Sequence, residues 1–363
     1  MPEITKFNPG GSPDERDERD FQWNNEEFGG ALPLFNWEKG YDVEKELQVI
    51  LENNTFVLKP NKQGNSQSCG GQAWSKYAAI LDAFIEKKFT DNSAKFIYAQ
   101  TFISGGGSAG RPNCDILHKQ GCADESLCPS YDNGQPPEES FMNQPQDITD
   151  VARANAKFDQ TLSYTAVAKT IEDFAHAISN NHGMVIGVRG TWVNDTSWNT
   201  TCPKSPAGAS SNWGHWIYAG KAKLINGKKM IGLLNSWGDI GERGWQWIGE
   251  DYFSEGGRYL MGGWTHVLAK QKTPDKTFKH NFSTNLKFGE KNDEVGALQR
   301  ALQIDGVLPL TVQATGYYFT ATRQAVLKFQ LKYSVASTEK LNELGGNEVG
   351  PATRKKLNEL FNK

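Results

Sequence analysis

Apolar side chains recur along this chain at two different periods. From Cys69 onward Ala73, Tyr77, Ile80, Leu81 and Phe84 fall at steps of three and four, the spacing of one buried helix face. Residues 43–52 predict a shorter helix and 167–178 another. Apolar runs at 184–188, 215–219, 230–234 and 245–248 are too short for helices. Gly, Lys and Asn turns separate them, which predicts strands of an antiparallel sheet or barrel. Helices thus come first and strands second, an α+β arrangement with a groove between two halves. Residues 104–145, rich in Gly, Pro, Asn and Ser, predict long loops.

The pattern changes twice more. Residues 1–30 carry neither period, and the charge run from Asp14 to Asp20 predicts a solvated acidic arm, with a cover over the groove as the alternative. Residues 271–284 read as a linker. Beyond it, Val295, Leu298 and Leu302, then Ala325, Val326 and Phe329, form helical stripes, and Gly350-Pro351 opens a third helix. The expected layout is an arm (1–30), a main domain (31–270), a linker (271–284) and a small helical domain (285–363). No tandem repeat is evident.

Composition narrows the partners. The 363 residues are 37% hydrophobic and 22% charged, which is globular. A net charge of −3 gives no electrostatic case for nucleic acid or an anionic membrane as partner. No apolar run reaches the roughly 18 residues of a membrane span, so no membrane insertion is expected. The first residues lack a basic-then-apolar secretory pattern, so no signal peptide is visible. The 11 tryptophans suit either large core positions or a substrate groove. Of the five cysteines, Cys69 is the odd one out. Cys114, Cys122, Cys128 and Cys202 can pair in three ways or stay free, and with no C-x-x-C their spacing suits either better than a metal.

Candidate chemistry centres on Gln63-Gly-Asn-Ser-Gln-Ser-Cys69-Gly-Gly. A cysteine opening a helix meets unpaired N–H groups and the positive end of the helix dipole, which favour the thiolate and suit an oxyanion. A thiolate nucleophile needs a base, and the base needs an orienting acceptor. His215 and Asn235 lie on neighbouring predicted strands, where both can face one side. Taken singly, Cys69 is better read as a small buried residue and His215 as a structural histidine. Of the other histidines, His176 and His182 read as surface residues.

Together, Gln63, Cys69, His215 and Asn235-Ser236-Trp237-Gly238 resemble the catalytic core of papain-like cysteine peptidases, in order and over about residues 31–270. His215 follows Cys69 at the roughly 130–150 residues usual there. The resemblance implies a two-lobed papain-like fold, a helical lobe plus an antiparallel β-barrel-like lobe. It implies Cys69 as nucleophile, His215 as general base and acid, Asn235 as its orienter and Gln63 in the oxyanion hole. Trp237 would shield the His–Asn hydrogen bond, and Gly106 and Gly107 would pair with peptide or protein substrate. No cofactor and no metal is called for. Gly70 stands where the family usually has an aromatic residue, which is expected to loosen the helix start and widen the groove. Ser66 stands where it usually has a disulfide cysteine.

The C-terminal stretch resembles the peptidoglycan-binding domain family, a three-helix module. The matching pieces include Leu298-Gln299, Thr315-Gly316-Tyr317, Thr322-Arg323, Phe329-Gln330 and Val349-Gly350-Pro351, with an insertion over 331–348. Gln299, Tyr317 and Arg323 are its candidate ligand contacts, although Gln299 and Gln330 equally suit bridges between helices. The whole implies a cysteine endopeptidase held at a bacterial cell wall by peptidoglycan, extracellular or wall-associated, with a phage lysin or virion protein as one form. The alternative is an inactive peptidase fold serving as a wall-binding or virion structural component.

Overall fold

The computed structural model describes residues 9–14, 22–23, 35–156, 161, 163–190, 197–206, 213–267, 278–308, 314, 316–318 and 320–362. The expected acidic run (15–20), most of the linker (271–277) and Thr315 fall largely or wholly outside them. The chain divides into two compact units, Met1–Leu268 and Ala269–Lys363.

In the first unit, helix α1 (Val43–Ile50) is capped by the Asp42 carboxylate, which accepts from the Glu44 N–H. Helix α2 (Cys69–Glu86) is buried on nearly every side, which needs small residues such as Gly70, Gly71, Ala78 and Ala79 among Trp74 and Tyr77. Helices α3 (Ala94–Thr101) and α4 (Gly110–Lys119) pack in the same helical half, which also holds short helices at Glu139–Met142 and Asp150–Ala156. The predicted loop at 104–145 thus contains a ten-residue helix. Its sequence, Gly-Arg-Pro-Asn, reads as a breaker, but a proline in the first turn forfeits only an N–H that has no partner within the helix.

The sheet half is antiparallel along its main strands: β1 (Ser163–Val167), β2 (Met184–Gly190), β3 (Trp213–Ile225), β4 (Lys228–Leu234), β5 (Trp245–Gly249) and β6 (Leu260–Val267), in the order β1-β6-β2-β3-β4-β5. The four predicted strands are β2 to β5. Strands β1 and β6 carry no clean alternation, and β6 has two central glycines. The predicted helix at 167–178 starts later, at helix α5 (Ile171–Asn180), because Val167 ends β1 and Thr170 is the N-cap.

The second unit has its own core of Phe282, Leu286, Val295, Leu298, Leu302, Tyr318, Val326, Phe329, Val349 and Leu357. Its described residues include α6 (Asp293–Ile304), α7 (Thr320–Lys332), α8 (Thr338–Leu344) and α9 (Pro351–Phe361). The expected insertion therefore holds a fourth, short helix. Residues 278–284, expected as linker, belong to this unit, since Phe282 is buried and its N–H donates to Asn358 Oδ1. An internal echo also appears that the sequence hid. Gln299 donates to Thr322 Oγ1 and the Tyr317 carbonyl, and Gln330 donates likewise to Thr353 Oγ1 and the Glu348 carbonyl.

Candidate active site

Cys69 is the first residue of α2 and is fully buried. The loop before it is tied to the sheet half through Gln63. The Gln63 N–H donates to the Ser236 carbonyl at 2.9 Å, and Ser236 Oγ donates back to Gln63 Oε1 at 2.7 Å. Gln63 Nε2 donates to the Ser66 carbonyl at 3.0 Å. Ser66, where a disulfide partner was missing, hydrogen-bonds within the loop to the Gln63 carbonyl and Ser68 Oγ.

His215 lies near the start of β3, and Asn235 directly follows β4, the neighbouring strand. His215 Nε2 and Asn235 Oδ1 are 2.9 Å apart, and both residues are fully buried. The Trp237 ring stacks on the imidazole at 4.1 Å and 12°, with Trp198 and Trp213 packed edge-on against it. Water is thereby kept off the hydrogen bond. His215 Nδ1 is buried with no hydrogen-bond partner. Burial pushes the His215 pKa down to about 3, with the Asn235 bond pulling weakly upward. Burial pushes the Cys69 thiol up to about 11, against backbone groups of Trp216, Gly10 and Gly70. Both shifts favour the uncharged forms, thiol and neutral imidazole.

Residues 10–14 of the N-terminal arm, read as solvated from sequence, pack against this site. The Ser108 N–H donates to the Gly10 carbonyl at 2.8 Å, and Gly11-Ser12 runs parallel to Ser108-Ala109. A Cβ on Gly10 would overlap the Gln67 carbonyl. One on Gly11 would lie 2.8 Å from Gly214 C and His215 N. Residues 10 and 11 thus fill the space between the backbone beside Cys69 and the backbone of His215. Asp14 anchors the segment, its carboxylate accepting from the Arg111 N–H at 2.8 Å, in the first turn of α4, and from Trp264 Nε1 at 3.0 Å.

Gly107 donates its N–H to Tyr98 Oη, and its carbonyl accepts from Ile103, while the Gly106 N–H goes to the Ile103 carbonyl. The edge that pairs with an extended chain begins at Ser108. Gly107 contributes closeness, since a Cβ there would meet the Gly10 carbonyl.

Solved structures with this architecture include xylellain, a cysteine protease from Xylella fastidiosa, at TM-score 0.56 and 21% identity over 72% of this chain and 97% of that one. Digestive procathepsin L 3 from Tenebrio molitor larval midgut matches at TM-score 0.52 and 14% identity, over 72% of this chain and 76% of its own. The fold is that of the papain-like cysteine proteases. No family model and no curated protein sequence matches the chain.

Around this candidate site lie residues that sequence reasoning missed. Asn235 Nδ2 donates to Gln246 Oε1 at 2.6 Å, and Gln246 Nε2 donates to the carbonyls of Trp198 and Thr200. The available signal was a single polar residue inside the apolar run of β5. His176 is buried rather than on the surface, and His182 is half-buried against Phe84. His266 is fully buried beside Thr161, with its pKa lowered by burial to about 3. All five cysteines are free thiols, and no metal-ligating cluster occurs among the described residues. In the second unit Gln299 is buried, its amide bridging Tyr317, Thr322 and Gly316. Tyr317 is exposed with Lys291 Nζ over its ring at 4.1 Å, and Arg323 lies over Phe288 at 5.3 Å.

Proposed function

We propose that this chain is a cysteine peptidase whose N-terminal arm must leave the cleft before substrate enters. The observation that carries the reading is the His215–Asn235 hydrogen bond under Trp237, which leaves Nδ1 without a hydrogen-bond partner, beside a backbone against which the arm packs. In the reaction, His215 takes the Cys69 proton and the sulfur adds to the scissile carbonyl carbon. The C–N bond then breaks, with His215 returning the proton to the departing amine. Water, deprotonated by His215, hydrolyses the thioester and restores the thiol. The Cys69 N–H at the start of α2 and the Gln63 amide are the candidate donors to the oxyanion.

The second unit is proposed to hold the enzyme on peptidoglycan, on the strength of its sequence resemblance and its separate core. That places the substrate among peptidoglycan peptides or wall proteins and the protein at the cell wall, a phage lysin being one form. Intact-mass labelling with an epoxysuccinyl inhibitor tests the chemistry. One adduct is expected on the wild type and none on Cys69→Ala. No adduct on the wild type, nor on a chain lacking residues 1–14, would leave the inactive wall-binding alternative. Digestion of purified peptidoglycan against casein then separates the two substrate classes.

A further inference from the structure

Gln246 lies in β5, all five of whose residues are buried, and the reaction above does not use it. Its Nε2 donates to the carbonyls of Trp198 at 2.7 Å and Thr200 at 2.8 Å, while its Oε1 faces Asn235 Nδ2 at 2.6 Å. Backbone carbonyls only accept. Two of them around one end of an amide require that end to be the NH2, so the other end is oxygen. That oxygen also only accepts, so Asn235 must turn its own NH2 toward Gln246. Asn235 Oδ1 is then left for His215 Nε2, at 2.9 Å. An acceptor there requires the hydrogen to sit on Nε2. In a neutral ring Nδ1 then carries the lone pair, and Nδ1 is the atom found without a partner.

We propose that Gln246 is a positioning residue that, through Asn235, fixes His215 in the Nε2–H tautomer and so leaves Nδ1 as the base for Cys69. Asn235 alone does not do this. Its side chain turned by half a rotation presents NH2 to Nε2 with little change of shape, and only a partner of fixed polarity forbids the turn. The carbonyls of Trp198 and Thr200 are the fixed end of this relay. They belong to a segment 48 and 46 residues before Gln246. The catalytic consequence rests on the peptidase reading, whereas the tautomer does not.

The experiment uses the full chain with 15N-labelled histidine. Ring spectra give the protonation of each nitrogen, and the His215 signals are assigned by their loss in His215→Gln. The wild type is expected to show Nε2–H and a bare Nδ1. A wild type with Nδ1–H would overturn the proposal without any variant. Gln246→Leu, and the less branched Gln246→Met, are expected to give mixed tautomers while unfolding cooperatively. Alkylation of Cys69 by iodoacetamide, read by peptide mass, is expected to slow on the order of 10²-fold in both. Slowing by the arm multiplies every chain alike. In an Asn235→Ala background, Gln246→Leu is expected to cost no further factor. An unchanged tautomer in both variants, or a full further loss in that background, would sink the proposal. A wild-type Cys69 that never alkylates, even without residues 1–14, would instead defeat the peptidase reading, and the spectra would still decide what Gln246 does.

Discussion

A methyl group at position 70 has nowhere to go. Its Cβ would lie 2.5 Å from Asn113 Nδ2 and closer still to Ser108 Oγ. Those two atoms hydrogen-bond to each other at 3.0 Å, and Asn113 Oδ1 accepts from Thr101 Oγ1 at 2.7 Å. Gly70 therefore does not widen the groove. It lets a buried polar cluster close against the start of α2. Gly70→Ala is expected to destabilise the first unit by about 1–3 kcal/mol, as overpacking does, and to lower the thermal midpoint by several degrees. An unchanged midpoint would show that the cluster yields. His266 permits a second forecast at this scale. Its pKa is depressed in the fold, so between about 6.5 and about 3 the unfolded chain binds a proton that the folded chain does not. Its neutral form is favoured by burial, so stability is full above about pH 6.5 and is lost as pH falls toward 3, by up to about 1.4 kcal/mol per pH unit. Urea midpoints measured from pH 7 to pH 4 should fall less steeply in His266→Gln than in the wild type. Parallel slopes would mean that His266 titrates normally.

At the scale of elements, the arm is the segment whose role periodicity could not give. Pro9 to Asp14 has no apolar stripe, and its place is set by what glycine lacks: two backbones approach from opposite sides where a Cβ would stand. That makes the arm removable by the smallest substitution. Gly10→Ala with Gly11→Ala is expected to expel it and to speed labelling of Cys69 by the epoxysuccinyl inhibitor at least as much as Asp14→Asn, which removes only the charge of the anchor. Opening the cleft rehydrates both groups, so the Cys69 pKa falls from about 11 and that of His215 rises from about 3. Labelling no faster than in the wild type would mean that the arm does not limit access. The elements that were legible were those with a period, the stripe from Cys69 and strands β2 to β5, and the meeting of His215 with Asn235 was legible from their neighbouring strands. Helix α4 was hidden by its Gly-Arg-Pro opening and β6 by its central glycines. Gln246 was hidden for a different reason, since its meaning comes from acceptors far away in sequence and not from its neighbours.

For the whole molecule, the two units have separate hydrophobic cores, and this decides what truncation should do. Every residue assigned to the chemistry lies before residue 269, and every candidate peptidoglycan contact lies after it. Within the second unit Gln299 acts as a bridge, as does Gln330, each tied to a threonine 23 residues on. On the proposed wall-binding reading, a polar glycan or stem peptide would meet side chains such as Tyr317 and Arg323 rather than Gln299. A tether of this kind raises local substrate concentration without altering the catalytic groups. A chain ending at residue 268 is therefore expected to hydrolyse a soluble peptide at the full-length rate while losing activity on insoluble peptidoglycan. Tyr317→Ala with Arg323→Ala in the full chain should reproduce that loss and leave the chain in the supernatant of a peptidoglycan sedimentation assay, and Gln299→Leu should lower the melting temperature of the second unit. If the truncated chain sediments with peptidoglycan as the full chain does, wall binding belongs to the first unit. If it loses soluble-peptide hydrolysis as well, the second unit supports the fold of the first and is more than a tether.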